Sequence, residues 1–266
     1  MQLSGLFIYP IKACAGIALE QADVVERGLA FDRRYMVVDR TGTFLSQREQ
    51  PPLCRVATAL EGERLLVSTP GKALLVLPRQ PAPSTTLKPQ TYRVWDSVGS
   101  ALLHPEGSRW FSELLNDELS LLYMPDSERR EVNPSRARPG DIVSFADGYP
   151  LLLVSEASLS DLNQRLVEPV EMRRFRPNLV ISGCEPYAED GFVQLRVGGV
   201  TFRGAKRCER CVVTTIDPET GESSKEPLRT LSNYRVDDGK VWFGMNLIPD
   251  ASGTLRLGDS VTAYGQ

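Results

Sequence analysis

The sequence predicts a mainly β protein with a few helices, α+β in class, folded as two barrel-like domains. Three observations lead there. Short strand-like runs recur along all 266 residues, Gly and Pro turns punctuate them, and only two segments carry helical periodicity. Many short strands joined by tight turns suit a barrel or sandwich and not a doubly wound sheet.

Leu6 to Tyr9 opens as a strand and stops at Pro10. Tyr35 to Val38 and Thr43 to Leu45 flank Asp39-Arg40-Thr41-Gly42 and read as a hairpin. Leu65 to Thr69 and Ala73 to Leu77 flank Pro70-Gly71 and make a second. Leu195 to Val197 and Val200 to Phe202 enclose Gly198-Gly199, the strongest two-residue turn signal in the chain. Val241 to Met245, Leu255 to Leu257 and Val261 to Tyr264 add further strands. Trp110, Phe111, Leu114 and Leu115 share one face of a helix. Ser158 with Asp161 resembles a capping box ahead of the Leu159, Leu162, Leu166 stripe. Pro78 to Pro89 reads as a proline-rich loop. The charged, aperiodic stretch from Pro125 to Gly140 marks the domain boundary, giving domains over 1–125 and 126–266.

Composition narrows the function classes. Apolar residues are 41% and charged residues 24%, which argues against disorder. Lys+Arg is 31 against Asp+Glu 34, a net charge of -3 with no basic footprint, so no nucleic-acid partner is expected. The longest apolar runs, Leu74 to Leu77 and Leu151 to Val154, fall far short of the ~20 residues that span a bilayer. No secretion signal opens the chain, so the expected setting is cytoplasmic, with no membrane partner. His104 is the single histidine and reads as a solvated loop residue. Sites needing two or more histidines are thereby excluded. Five cysteines, an odd number, suggest reduced thiols and no disulfide framework.

The densest reactive cluster is Lys206-Arg207-Cys208-Glu209-Arg210-Cys211, ahead of the strand-like run Val212 to Ile216. Its Cys-x-x-Cys spacing admits half a zinc site, a dithiol redox pair, a single metal-binding thiolate with a neighbour, or two cysteines acting as small buried hydrophobes. Lys206, Arg207 and Arg210 flank the thiols and should favour a thiolate, a soft ligand for a soft metal. Lys12, Arg33, Arg34, Arg48 and Arg176 each stand beside turn residues at strand ends. If their side chains converge, they suit a phosphate.

In this order, "IYPIKACAG" (8–16), "GLAFDRRYMVVD" (28–39), "SQRE" (46–49), "LLLVSEASLSDLN" (151–163), "RFRPNLVISG" (174–183), "RCERCVVTTIDPETG" (207–221), "EPLRTLSNYR" (226–235) and "GTLRLGDSVTAYGQ" (253–266) cover essentially the whole chain. Together they resemble the MOSC (molybdenum cofactor sulfurase C-terminal) domain family with its N-terminal MOSC β-barrel, and most closely its amidoxime-reducing branch. The resemblance implies a molybdenum cofactor, a pterin carrying the metal. Cys211 matches the thiolate that ligates molybdenum. Lys12, Arg33, Arg48, Arg176 and Asn178 match positions that hold the pterin and its phosphate. Asp147 matches an acidic residue near the metal, suited to managing a proton or ordering a water. Cys208 and Cys184 match other cysteines of the pattern but are not carried over as ligands. Ala13 departs from the pattern, standing where many relatives place a serine.

The implied activity is reduction of small N-hydroxylated compounds: hydroxylamines, amidoximes and N-hydroxylated bases. The sequence holds no ferredoxin-type cysteine run and no Gly-x-Gly-x-x-Gly. Electrons are therefore expected from an external donor protein of the iron–sulfur or flavin reductase type. A cofactor or sulfur carrier without reductase activity, and a β-barrel interaction module with structural cysteines, are the alternative readings.

Overall fold

The computed structural model describes residues 1–82 and 87–265. The loop expected over 78–89 falls partly outside them, as does Gln266. The largest sheet has nine strands. From edge to edge it runs Val261–Gly265, Phe192–Val197, Val200–Glu209, Lys240–Pro249, Leu151–Ser155, Leu179–Ser182, Gln2–Ile8 and Ile17–Ala18, with Val236–Asp237 added on Lys240–Pro249. Gly198 and Gly199 turn the central hairpin with Val197 opposite Val200, as the sequence predicts. Gln2–Ile8 lies antiparallel to Leu179–Ser182, so the start of the chain completes a sheet otherwise built after residue 150. Alternation explains its docking. Leu3, Leu6 and Ile8 face inward and pack with Leu153, Leu179, Leu195, Phe202 and Leu247. Burying each such side chain contributes about 1.5–3 kcal/mol.

Three smaller sheets complete the molecule. One runs Tyr35–Val38, Ser120–Tyr123, Ser97–Leu103, Pro89–Val94, and another Ala57–Glu61, Arg64–Ser68, Leu75–Pro78. The third joins Gly253–Arg256 to Gln21–Val25 and Gly28–Leu29, returning the end of the chain to its beginning. The helix Pro105–Leu115 buries Trp110 and Phe111 among Tyr35, Val37, Leu121 and Tyr123.

The mainly β, few-helix class stands, but the barrels do not. Every strand order is an open path, so the described residues form no closed barrel. The reason lies on Gln2–Ile8, whose second edge is divided. Phe7 and Ile8 pair with Ala18 and Ile17, and toward the far edge of the sheet Met1 and Leu3 bond residues 258–261 around one antiparallel bridge, Gln2 to Ser260, among the described residues. Closure needs a continuous ladder there.

Three local expectations also change. Val212–Thr215 is a 3-10 turn and not a strand. The hydroxyls of Thr214 and Thr215 donate to the carbonyls of Cys211 and Val212, a back-bonding that lets threonine take helical backbone. The helix Glu156–Gln164 starts three residues before the expected box: Ser155 is its cap and accepts from the Ser158 N–H. His104 is not merely solvated. It caps Pro105–Leu115, its Nδ1 accepting from the Gly107 N–H at 3.1 Å.

Candidate functional site

Lys12, Arg33, Arg48, Asp147, Arg176, Asn178 and Cys211 all line one cleft of about 180 Å³. The pairing of Gln2–Ile8 with Leu179–Ser182 brings these distant stretches together. It sets the loop after the first strand beside Arg176–Asn178, which lead into the second.

Lys12 is buried, and its ammonium donates to the Phe145 carbonyl at 2.9 Å and to the Asp147 carboxylate at 2.5 Å. The 145–148 segment forms no regular element, and Arg130 holds it from the other side through the carbonyls of Ser144, Ala146 and Asp147. Partial desolvation at the cleft wall raises the cost of ionising Asp147, but the Lys12 charge and hydrogen bond, then Arg48 and Arg33, outweigh it and hold the carboxyl at about 2. Asp147 is therefore a carboxylate near neutral pH and no proton donor. Burial pushes Lys12 down, and Arg130 and Arg33 add to that, so the Asp147 charge offsets only part of the shift.

Behind this pair stands a second network. Asp32 is buried and accepts from the Tyr9 N–H at 2.7 Å and from the Arg33 guanidinium at 2.5 Å. The Asn178 carbonyl oxygen accepts from Arg33 at 2.9 Å and from the Leu152 N–H, and its amide donates to the Phe7 carbonyl. Asn178, 1% exposed, thus frames Arg33 instead of presenting its own amide to the cleft. The Tyr9 ring lies between two guanidiniums, Arg33 at 4.4 Å and Arg176 at 4.2 Å. Burial pushes the Tyr9 phenol up to about 12, so it stays a neutral donor, and it bonds the Pro177 carbonyl at 3.0 Å.

Ala13, Arg33 and Arg176 all have left-handed backbone, at φ 71, 46 and 55. Each costs about 1–2 kcal/mol for a residue with a Cβ. Strain of this kind collects where side chains must be aimed at a ligand. The Ala13 carbonyl accepts from the buried Gln47 amide at 2.6 Å, which holds the turn where relatives place a serine.

The cysteine segment is arranged differently from the expectation. Val200–Glu209 is bulged between Gly204 and Lys206 and again between Arg207 and Glu209. Lys206 and Arg207 both lie over Trp242, away from Cys211, and line a separate depression with Asp237 and Lys240. Arg210 reaches Cys208 at 3.1 Å. The cation beside Cys211 is Arg48, at 4.0 Å from its sulfur. Cys211 is exposed and Cys208 half-buried, so two buried hydrophobic cysteines are not what this segment holds. All five cysteines are free. Among the described residues no group of three or more His, Cys, Asp or Glu gathers as a metal cage. A metal at Cys211 would draw its other ligands from a cofactor. The donor set suits that: one accessible thiol faces Arg48 and Arg176, which make no ion pair among the described residues.

Sequence reasoning missed Tyr9, Asp32, Arg130 and Gln47. Tyr9, Asp32 and Gln47 stand one residue before Pro10, Arg33 and Arg48, which was a signal; Arg130 carried none.

Comparison with known proteins gives the family. The MOSC N-terminal beta barrel domain matches residues 1–118, and the MOSC domain matches residues 140–262. The chain belongs to the MOSC domain family. Within it, human mitochondrial amidoxime-reducing component 1 is 33% identical over 98% of this chain and 82% of its own length. Rat mitochondrial amidoxime reducing component 2 is 35% identical over 97% and 82%. Tomato molybdenum cofactor sulfurase is 31% identical over 99% of this chain, a match that takes up 36% of that protein.

Proposed function

We propose that the cleft holds a molybdenum cofactor and that the protein is a molybdenum-dependent reductase of N-hydroxylated compounds, namely hydroxylamines, amidoximes and N-hydroxylated bases. One observation carries the reading: an exposed Cys211 thiol lines the same cleft as the guanidiniums of Arg48 and Arg176, which make no ion pair among the described residues. Cys211 would ligate the metal. Arg48 and Arg176 would meet the anionic pterin and its phosphate directly, with Lys12 beside them. Arg33 is fixed by Asp32 and Asn178, which keep its charge in place. Bound there, the cofactor supplies two-electron chemistry at an oxygen-bearing substrate.

The overall reaction takes two electrons and two protons, cleaves the N–O bond and releases the oxygen as water. Asp147, ionised near neutral pH, supplies no proton; its part is to fix Lys12 and order water at the cleft wall. Electrons come from an external donor protein of the iron–sulfur or flavin reductase type. Five free thiols suit a reducing, cytoplasmic setting. The two family matches support a division of the chain near residue 125, although Gln2–Ile8 is hydrogen-bonded beyond it.

The test is elemental analysis of protein made in a molybdenum-replete host, beside Cys211→Ala. Molybdenum is expected in the first and lost from the second; equal content overturns the ligand assignment. The loaded protein should reduce a model amidoxime with a chemical electron source. A loaded protein inert toward several N-hydroxylated compounds would favour a cofactor carrier, the reading that the match to a cofactor sulfurase supports.

A further inference from the structure

The hairpin Pro89–Val94 and Ser97–Leu103 is closed by two residues, Trp95 and Asp96, with Val94 opposite Ser97. Trp95 has φ 52. Left-handed backbone at the first position of such a turn favours glycine or asparagine, and a bulky aromatic there is an outlier. Burial does not account for it, because Trp95 is 47% exposed. Hairpin formation does not either, since glycine would close the same turn with less strain. A strained aromatic residue left half in solvent points to a contact outside the fold.

Its surroundings give the contact a place. Trp95 meets Phe44 edge to face at 5.0 Å, and the Arg48 guanidinium lies over its ring at 5.0 Å. Arg48 in turn reaches the Cys211 sulfur at 4.0 Å, and Lys12 lies over Phe44 at 4.8 Å. Phe44, which is buried, and Trp95 therefore form an aromatic pair held against two cations of the cleft. Laid end to end, the two Arg48 contacts place the Trp95 ring within roughly 10 Å of the Cys211 sulfur. Val212, 50% exposed, adds an apolar edge beside Cys211.

Resting on the reductase reading, we propose that Trp95 is the substrate-positioning residue at the cleft mouth. It selects planar, π-conjugated N-hydroxylated compounds, such as aromatic amidoximes and N-hydroxylated nucleobases, over aliphatic hydroxylamines. A flat ring lies against the indole while its N–O group is directed toward the Cys211 end of the cleft. Stacking on tryptophan needs only a π-face, so it recognises the class and not one hydrogen-bonding pattern. An aliphatic hydroxylamine offers no such face.

Trp95→Gly suits the turn and keeps the hairpin, while Trp95→Tyr keeps an aromatic ring. With metal-loaded protein and a chemical electron source, kcat/KM is measured for benzamidoxime and for N-methylhydroxylamine. The ratio is expected to fall about tenfold in Trp95→Gly, through KM for benzamidoxime, and to stay within about twofold of the parent in Trp95→Tyr. An unchanged ratio overturns the proposal. So does an equal rise of KM for both substrates, which would make Trp95 only a support for Arg48. In parallel, benzamidoxime titrated into metal-free full-length protein should quench a tryptophan signal that Trp95→Gly lacks. Equal quenching in both proteins also overturns the proposal. If the loaded protein reduces neither compound, the reductase reading falls while the titration still decides the role of Trp95.

Discussion

Asp147→Asn removes one charge from the Lys12 pair and leaves the size of the side chain nearly unchanged. The Asp147 carboxyl sits at about 2 in the folded protein against an ordinary 3.8, because the Lys12 charge outweighs the partial desolvation that opposes ionisation. A gap of that size corresponds to at most about 2.5 kcal/mol of folding stability. The Asp147 side chain is 63% exposed, so solvent screening brings the expected contribution down to about 1 kcal/mol. The folded-state value is depressed, so the contribution is complete above the unfolded value and is lost as pH falls from about 4 to about 2. Urea unfolding of cofactor-free protein measures it directly. The parent should exceed the variant by about 1 kcal/mol near pH 6, with the difference closing as pH approaches 2. A difference that stays constant through this window would refute the pairing. A variant that loses more stability to acid than the parent would refute the sign.

Two further perturbations test the fold. A Cβ on Gly204 would stand 1.8 Å from the Phe192 carbonyl oxygen, at a bulge of the strand that leads to Cys208, so Gly204→Ala should cost about 3 kcal/mol or more by denaturant titration. His104→Ala removes the Nδ1 cap and should cost about 1 kcal/mol, while His104→Asn should recover most of it, as read by melting temperature. Burial lowers the His104 value, so its contribution is present above the ordinary value of 6.5 and fades as pH falls below that.

Local chemistry was readable where it decides local structure. Gly198-Gly199 and Pro70-Gly71 turn hairpins because glycine takes positive φ without strain, and both appear where their sequence places them. The run Val212 to Ile216 was misleading because β propensity ignores the two threonine hydroxyls that complete a 3-10 turn. The site residues were legible only through the family pattern. Nothing between Lys12 and Cys211 announces that Gln2–Ile8 will cross to Leu179–Ser182, and that pairing is what makes the cleft. The cation for Cys211 was misassigned for the same reason. Sequence neighbours Lys206 and Arg207 were nearer in number, but bulges send them to Trp242, and Arg48 arrives from another sheet's loop.

The division of labour across the cleft has a consequence for stability. Residues before 50 supply Lys12, Arg33 and Arg48, while residues after 140 supply Asp147, Arg176 and Cys211. Among the described residues these groups touch through the Lys12–Asp147 pair, the Arg33 bond to the Arg176 carbonyl and the long Arg48–Cys211 approach. An anionic group seated there joins the cations of both sides, and with the thiol it spans the same seam. It also offsets the burial that chiefly lowers Arg176 and the Arg33 repulsion that adds to it. Binding to the folded state alone must therefore raise the unfolding midpoint, by an amount set only by the ratio of free cofactor to its dissociation constant. The left-handed backbones at Ala13, Arg33 and Arg176 are held by Gln47, Asp32, Asn178 and the Tyr9 ring. Side chains fixed in this way lose little freedom when a ligand seats, which leaves more of the interaction energy for retention.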